Sequence, residues 1–319
     1  MKIAHYAALV VAFSAPLAHG EDDSWKAVFS PLPSVTEPTD APGKAKIALG
    51  KKLYLDTRLS KDQGVSCNSC HNLKTFGVDN EATSPGHKGQ RGDRNSPSSF
   101  NAALHIAQFW DGRAENVEKQ ALGPILNPKE MAMPNEQAVI DRLKADKALT
   151  TEFASAFPGE KDPVTYPNVG NAIGAFERTL ITPSRFDAFL KGDSSVLTEK
   201  EKKGGALFVK TGCIACHNGP ALGGMMYQKL GMVKPYATQD EGRAALTKNP
   251  ADKFIFKVPA LRNVEKTGPY LHDGSVKTLN EAVSIMAEYQ LGKQLSPEEV
   301  NDITAFLGTL TASDPSKLL

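Results

Sequence analysis

The pentapeptide Cys67-Asn68-Ser69-Cys70-His71 and its counterpart Cys213-Ile214-Ala215-Cys216-His217 decide the architecture of this chain. Both have the pattern C-x-x-C-H, which is the attachment signature of a c-type haem. In such a site the two thiols bond to the haem vinyl groups, and the histidine that follows is placed under the iron as its proximal ligand. The chain contains four cysteines, and the two motifs use all of them. We therefore expect two covalently bound haems.

Other roles for paired cysteines fit the sequence less well. Zinc ribbons place their two cysteine pairs about 15–20 residues apart, whereas these pairs lie in different halves of the chain. A thioredoxin-like dithiol pair would lie in βαβ surroundings and would not require His71 or His217. A disulfide within each motif would close a very short loop and add little stability. The sequence therefore favours haem over zinc, a dithiol pair and structural disulfides.

Length and composition agree with two haem domains. The chain has 319 residues, and domains usually have about 100–200 residues each. Hydrophobic residues make up 40% of the chain, which is enough for ordinary cores. The formal net charge of +1 argues against nucleic acid as a partner, because nucleic-acid binders carry a strongly basic face.

The N-terminus has the features of an export signal. Lys2 supplies a positive charge, and the apolar stretch over 7–13 is too short to span a bilayer. Ala18-His19-Gly20 is a suitable cleavage site. We predict a cleavable signal peptide over residues 1–20 and a periplasmic mature protein, without a membrane span, that starts near Glu21. An uncleaved membrane anchor is the alternative.

The rest of the chain shows helical patterns separated by irregular segments, without sustained strand alternation. Helices are predicted over 44–55, from Val117, over 135–143 and over 169–180, with further helix starts at Thr198, Thr278 and Ser296. Gly50-Lys51-Lys52-Leu53-Tyr54 has an echo in Gly205-Ala206-Leu207-Phe208, and 173–176 has one in 303–306. These echoes indicate an internal repeat. We expect a mainly α fold of two cytochrome c-like domains, residues 21–184 and 185–319, each wrapping one haem.

The side chain opposite each proximal histidine decides between functions. A histidine and methionine pair raises the potential of the iron and suits electron transfer. The candidates after signal cleavage are His87, His105, His272, Met131, Met133, Met225, Met226, Met232 and Met286. Core packing or surface exposure is the alternative role for each of them. His87 fits a core role poorly, because it lies in a long polar segment over 77–101, and such loops are usually functional.

Four further motifs narrow the choice of protein family. They are Phe109-Trp110-Asp111-Gly112-Arg113, Gln120-Ala121-Leu122-Gly123-Pro124, Leu261-Arg262-Asn263-Val264, and Thr267-Gly268-Pro269-Tyr270-Leu271-His272-Asp273-Gly274-Ser275. With the two haem motifs in this order, the chain resembles the bacterial dihaem cytochrome c peroxidases over essentially its whole mature length. The resemblance implies a peroxidatic N-terminal haem and an electron-transfer C-terminal haem.

The resemblance also implies roles for single residues near the haems. His87 would be the detachable sixth ligand of the N-terminal haem, opposite His71. Met286 would be the sixth ligand of the C-terminal haem, opposite His217. Trp110 would lie between the haems on the electron path; a buried core indole is the alternative role, and the two are compatible.

The family's catalytic pair corresponds to Gln120 and Glu130. Peroxide must lose a proton from one oxygen and gain one on the other, and a carboxyl group whose pKa is raised by burial can do both. Gln120 can donate a hydrogen bond while staying uncharged. An exposed carboxylate at the start of a helix is the alternative for Glu130.

The family also holds a calcium ion between its domains. The matching residues are Asn95, through its side chain, and Thr267 and Pro269, through their main-chain carbonyls. Hard oxygen ligands of this kind suit calcium. Asn95 as an ordinary turn residue remains the alternative, because the segment 93–97 has a turn composition.

The sequence therefore predicts a homodimeric enzyme that reduces hydrogen peroxide to water with electrons from a small periplasmic donor, a cytochrome c or a cupredoxin. Two alternatives stay open. One is a dihaem cytochrome that only transfers electrons. The other is the related dihaem enzyme that matures a tryptophan-derived quinone in a partner protein. The resemblance implies a tyrosine as distal ligand in that relative, so Met286 favours the peroxidase.

Overall fold

Helices are the main secondary-structure element of this computed structural model, which describes residues 23–315. The α-helices are α1 (Ala41–Leu55), α2 (Cys67–Cys70), α3 (Val117–Leu126), α4 (Glu136–Lys144), α5 (Lys147–Ala156), α6 (Tyr166–Glu177), α7 (Arg185–Leu190), α8 (Glu199–Thr211), α9 (Ala244–Thr247), α10 (Leu279–Ile285) and α11 (Pro297–Gly308). A π-helical turn, Met286–Gln290, follows α10 directly. The two strands within the described range, β1 (Tyr227–Lys229) and β2 (Ile255–Lys257), form one antiparallel pair. The predicted mainly α fold is confirmed.

The first hydrophobic core lies between α1, α3, α5 and α6. It is built from fully buried side chains such as Leu53, Phe153 and Ile173. Helices α1 and α6 cross so closely that a Cβ atom at Gly50 would lie 1.8 Å from the carbonyl oxygen of Ala172. Glycine is required at this crossing, because any side chain would push the two helices apart.

The second core repeats this arrangement with α8 and α11. Phe208, Phe306 and Leu307 are buried here. A Cβ atom at Gly204 would lie 1.9 Å from the carbonyl oxygen of Asp302, so Gly204 lets these two helices meet as Gly50 does in the first core. The internal repeat is thus visible in the packing. Its equivalent of Gly50 is Gly204, one residue before the Gly205 that opens the sequence echo.

The N-terminal segment packs against the second core. Trp25 contacts the rings of Phe186, Phe189 and Phe306 at centroid distances of 6.4, 5.6 and 5.8 Å. The Leu32 N–H donates to Asp187 Oδ1 at 2.7 Å. Residues 23–32 therefore contact the half of the molecule that holds the second haem motif, although they precede the first core in sequence. The domain ranges 21–184 and 185–319 stay a prediction.

Side-chain caps fix the helix starts. The capping boxes at Thr198 and Ser296 are confirmed, and Asn135 caps α4 by accepting from Ala138 N. Thr278 caps α10 by accepting from Glu281 N. Helix α1 begins three residues before the predicted Lys44, because Asp40 is its N-cap and a proline occupies its first turn.

Within residues 23–315, no helix is both long enough and apolar enough to cross a bilayer. The predicted signal peptide, residues 1–20, lies outside the described residues.

Candidate functional site

A cavity of about 1140 Å³ lies beside the first haem motif. That volume slightly exceeds the roughly 300–1,000 Å³ typical of ligand pockets. Its lining includes both cysteines and the histidine of the motif, together with the predicted catalytic and electron-transfer side chains: Cys67, Cys70, His71, Trp110, Gln120 and Glu130. The fold thus brings together residues that lie as much as 63 positions apart in the sequence (130 − 67).

The four cysteines suit covalent haem attachment. None of them forms a disulfide with another. Burial raises the pKa of Cys67 far above its ordinary value and that of Cys213 to about 11. Each pair is followed directly by a histidine, which is the arrangement of a c-type haem attachment site.

The two proximal histidines have the tautomer that an iron ligand needs. The Nδ1 atom of His71 lies 2.9 Å from the carbonyl oxygen of Pro97, and that of His217 lies 3.2 Å from the carbonyl oxygen of Leu222. A carbonyl only accepts, so each Nδ1 carries a hydrogen and each Nε2 keeps a free lone pair. Burial lowers the pKa of both rings, that of His217 to about 4. Both imidazoles are therefore neutral and fit iron ligation through Nε2.

Gln120 and Glu130 come from α3 and from the turn that follows it. The turn is fixed by Glu130 N–H donating to Asn127 O at 3.0 Å, and Asn127 Nδ2 donates to Glu130 Oε1 at 2.9 Å. Burial, the largest effect, raises the pKa of Glu130, while the charge of Arg113 and the Asn127 hydrogen bond oppose the rise. Glu130 is half-buried at the cavity wall rather than exposed to solvent.

His87 packs against Glu130 through its backbone but turns its ring elsewhere. The His87 N–H donates to Glu130 O at 2.7 Å. The ring is 11% exposed, and its Nδ1 lies 3.3 Å from Asp62 Oδ2. The cavity lining includes the neighbouring Gly86 but not His87. In this conformation the structure therefore does not bring the His87 ring together with His71.

Trp110 connects the loop over 77–101 to the second half of the chain. Its indole N–H donates to Asn95 O at 2.8 Å, and its own carbonyl accepts from Lys257 N–H at 2.8 Å. Its ring meets that of His272 edge to face, with centroids 6.5 Å apart. Trp110 thus lies where residues from both halves of the chain meet.

Met286 begins the π-helical turn after α10 and is half-buried. Turns of this kind are rare and occur frequently at functional sites. The side chain is therefore placed at an irregular point of the second half, directly after the regular helix α10.

The predicted calcium residues lie where the loop over 77–101 meets the second half of the chain. Asn95 Nδ2 donates to the carbonyls of Glu81 and Ala82 at 3.0 and 3.3 Å, which leaves its Oδ1 as an acceptor. Asn80 Nδ2 donates to the carbonyls of Lys266 and Gly268 at 2.9 and 2.8 Å, and so holds the loop against the segment of Thr267 and Pro269. Among residues 23–315, no cluster of three or more His, Cys, Asp or Glu side chains could hold a metal. The predicted calcium ligands are amide and main-chain oxygens, which such a cluster does not include.

Two buried charged residues in the cavity wall are not predicted from the sequence. Glu177 is 5% exposed, and its place on the apolar face of α6, four residues after Ile173, is a signal that could have revealed it. Lys257 is also 5% exposed. It ends a three-residue strand, and no pattern in the sequence marks it as buried.

Comparison with known proteins agrees with this geometry. A sequence profile described as "Di-haem cytochrome c peroxidase" matches residues 44–195, and one described as "Cytochrome c" matches residues 201–311. The cytochrome c551 peroxidase of Nitrosomonas europaea is 47% identical over 290 residues, which cover 89% of this chain and 84% of that protein. The protein of the same name from Pseudomonas aeruginosa is 46% identical over 317 residues, covering 96% and 91%.

A solved structure shares the fold along the whole chain. It is titled a MauG-like protein associated with microbial copper homeostasis, and it superposes with a TM-score of 0.77 at 27% sequence identity. The superposition covers 95% of this chain and 96% of that one. Two haem motifs on a repeated helical core, a cavity with a half-buried carboxyl group in its wall and relatives over nearly the full length lead to one conclusion. The chain belongs to the dihaem cytochrome c peroxidase family.

Proposed function

We propose that this protein reduces hydrogen peroxide to two molecules of water, with two electrons from a small donor such as a cytochrome c or a cupredoxin. The proposal is carried by one observation: Gln120 and Glu130 line the same cavity as Cys67, Cys70 and His71. When bound by these residues, haem supplies an iron that exchanges electrons and can hold a peroxide oxygen. The reaction also consumes two protons, and these must pass through the protein's own side chains.

Glu130 carries a proton in this proposal. One peroxide oxygen must lose a proton and the other must gain one before it leaves as water. A general acid–base group works best when its pKa lies near the working pH, and burial moves the pKa of Glu130 upward in that direction. The hydrogen bond from Asn127 holds the carboxyl group in one orientation at the cavity wall.

Gln120 orients the peroxide. Its backbone N–H donates to Asn116 O at 3.0 Å in the first turn of α3, which places the side chain in the cavity wall. The amide group donates hydrogen bonds without ionising. It can therefore hold an uncharged peroxide while Glu130 moves the proton.

The test is Glu130→Gln, which keeps the size and polarity of the side chain but removes the proton carrier. Since general acid–base catalysis is worth about 10²–10⁴-fold, peroxide turnover should fall by roughly that factor with two haems still attached. Glu115→Gln, a change of an exposed carboxylate nearby, is the matched control and should leave turnover unchanged. Near-wild-type turnover in Glu130→Gln would return Glu130 to a structural role.

His87 would hold the N-terminal haem reversibly in this proposal. Its ring lies beside Asp62, outside the cavity lining. The neighbouring Gly86 packs so closely against Lys129 and Glu130 that a Cβ atom there would lie 2.2 Å from Lys129 O. Movement of His87 therefore requires the loop to separate from the turn that carries Glu130.

Met286 would hold the C-terminal haem together with His217, and Trp110 would carry electrons between the two haems. The π-helical turn at Met286 and the contacts of Trp110 with both halves of the chain support these roles. Methionine ligation raises the potential of the iron, which suits a haem that accepts electrons from a mild donor.

Calcium binds at Asn95, Thr267 and Pro269 in this proposal. The hydrogen bonds of Asn80 to Lys266 O and Gly268 O already hold the loop against that segment. One calcium per chain should be found by elemental analysis, and its absence from active protein would exclude the site.

The mature protein begins near Glu21, works in the periplasm and forms a homodimer in this proposal. The names of the relatives support a peroxidase over a quinone-maturing enzyme or a cytochrome that only transfers electrons. The methylamine utilization protein MauG of Methylorubrum extorquens is 34% identical, less than the two cytochrome c551 peroxidases at 47% and 46%, and Met286 is not the tyrosine that the resemblance implies for quinone maturation. A cytochrome that only transfers electrons has no need for Gln120 and Glu130 in a haem cavity.

A further inference from the structure

Lys257 is a buried cation without an acidic partner. It ends strand β2, is 5% exposed and lines the large cavity. Within the described part of the chain it forms no ion pair, and its ammonium contacts His105 Nδ1 at 3.4 Å. Burying an unpaired charge costs so much that buried lysines are nearly always paired. Burial alone lowers the pKa of Lys257 to about 8.

The other basic side chains of the cavity wall are already neutralised. Arg94 contacts Asp111 at 2.7 Å and Asp240 at 2.6 Å. Arg113 contacts Asp111 at 3.1 Å. Lys129 contacts Asp93 at 3.5 Å. Of the lysines and arginines in the wall, Lys257 is the one whose charge is left to attract an anion inside the cavity.

His105 holds the ammonium in place. A lysine ammonium can only donate, so His105 Nδ1 accepts and the ring's hydrogen is on Nε2. That Nε2 is buried and lacks a hydrogen-bond partner among the described residues. The ring is fixed by close packing, since a Cβ atom at Gly224 would lie 2.3 Å from His105 Cδ2. One N–H of Lys257 is thus used and two remain for a ligand.

We propose that Lys257 binds a carboxylate of the haem attached to Cys67 and Cys70, with His105 as its positioning residue. A haem carries two propionate carboxylates, and one of them would satisfy the two remaining donors and the charge of Lys257. The inference concerns haem binding and does not depend on the proposed proton carrier. It means that a side chain from the second half of the molecule completes the haem site of the first half. Because the main-chain N–H of Lys257 donates to the main-chain carbonyl of Trp110, the same residue also positions the backbone of Trp110.

The experiment uses the full-length dihaem protein matured with haem whose carboxylate carbons carry ¹³C. Infrared difference spectra are recorded while the N-terminal haem is reduced, and its midpoint potential is measured in the same titration. Lys257→Gln should shift the labelled carboxylate bands and lower the potential of the N-terminal haem, because the lost positive charge no longer favours the reduced iron. Lys257→Arg should keep both near wild type. Lys253→Gln, which alters a half-exposed lysine paired with Glu241, is the matched control and should change neither.

His105→Phe provides a second variant if Lys257→Gln is not recovered with two haems. It removes the acceptor that holds the ammonium and should shift the same labelled bands in the same direction. Unchanged labelled bands in Lys257→Gln, or in His105→Phe where that variant stands in for it, would overturn the proposal. A wild-type potential that depends on added chloride, with unchanged labelled bands in the variants, would also overturn it and would assign Lys257 to a free anion.

Discussion

Glu177 and Glu130 are carboxyl groups in the wall of one cavity, and their surroundings differ. Burial raises the pKa of Glu177 to about 8, and the nearby Glu118 carboxylate adds to the rise. Burial also raises the pKa of Glu130, but Arg113 and Asn127 oppose it. At neutral pH Glu177 is thus mainly protonated.

Glu177 gives the protein a pH-dependent stability whose direction is fixed. Glu177 binds its proton more tightly in the folded state than in the unfolded chain, where the pKa of glutamate is about 4.3. This contribution is complete below that value and is lost as the pH rises through the folded pKa of about 8. Glu177→Gln should therefore flatten the fall in melting temperature over this range. Calorimetry of the dihaem protein measures it, with exposed Glu136→Gln as control. An equal fall in Glu177→Gln and wild type would show that Glu177 titrates normally.

Met286 can be tested through the potential of one haem. Met286→His should lower the midpoint potential of the C-terminal haem, because imidazole stabilises ferric iron better than a thioether does. Turnover with a mild donor should fall with it. Met232→His, at a methionine that is 55% exposed, should change neither. A redox titration of Met286→His that reproduces the wild-type potential would exclude Met286 as a ligand.

Among the larger elements, the loop over 77–101 is attached at separate points. Asn80 binds the carbonyls of Lys266 and Gly268, Asn95 N–H donates to His272 O at 2.7 Å, and His87 N–H donates to Glu130 O. The first two contacts reach the second half of the chain, and the third reaches the turn with the proposed proton carrier. A change in the second half can therefore act on His87 through the loop. It must stabilise the loop with His87 bound to the haem differently from the loop with His87 released.

His87→Gly tests whether His87 closes the N-terminal site. The variant should have a high-spin N-terminal haem even when fully oxidised, and it should reduce peroxide without prior reduction. Asp62→Asn is its counterpart: loss of the partner of the His87 ring should favour ligation and slow activation. Optical and electron paramagnetic resonance spectra measure both. A low-spin, six-coordinate N-terminal haem in His87→Gly would assign the ligand to another residue, with His105 the next candidate.

Local sequence signals predicted most helices. Where the prediction was incomplete, the outcome depends on close packing between distant segments. The capping residues Thr198 and Ser296 were identified from the sequence because a cap depends on neighbours within one turn. The equivalence of Gly50 with Gly204 depends on which residue faces the crossing helix. That choice is made by tertiary contact and is not visible in a local echo.

At the scale of the whole molecule, the parts that the sequence did not predict are contacts between its halves. Trp25 packs in the second core, and Lys257 enters the cavity of the first haem motif. Neither residue lies in a motif, because a contact between distant segments leaves no periodic pattern. The haem-binding residues were predictable for the opposite reason: the chemistry confines two thiols and a histidine to five consecutive positions.

We propose that electrons entering at the second half of the molecule open the first half to peroxide. The most direct measurement is the spectrum of wild-type protein reduced by one electron, recorded before and after one equivalent of hydrogen peroxide. We predict a low-spin ferrous C-terminal haem with a high-spin ferric N-terminal haem, and consumption of the peroxide as that high-spin signal disappears. A half-reduced protein that keeps both haems low-spin and leaves the peroxide unconsumed would show that reduction of the second half does not open the first.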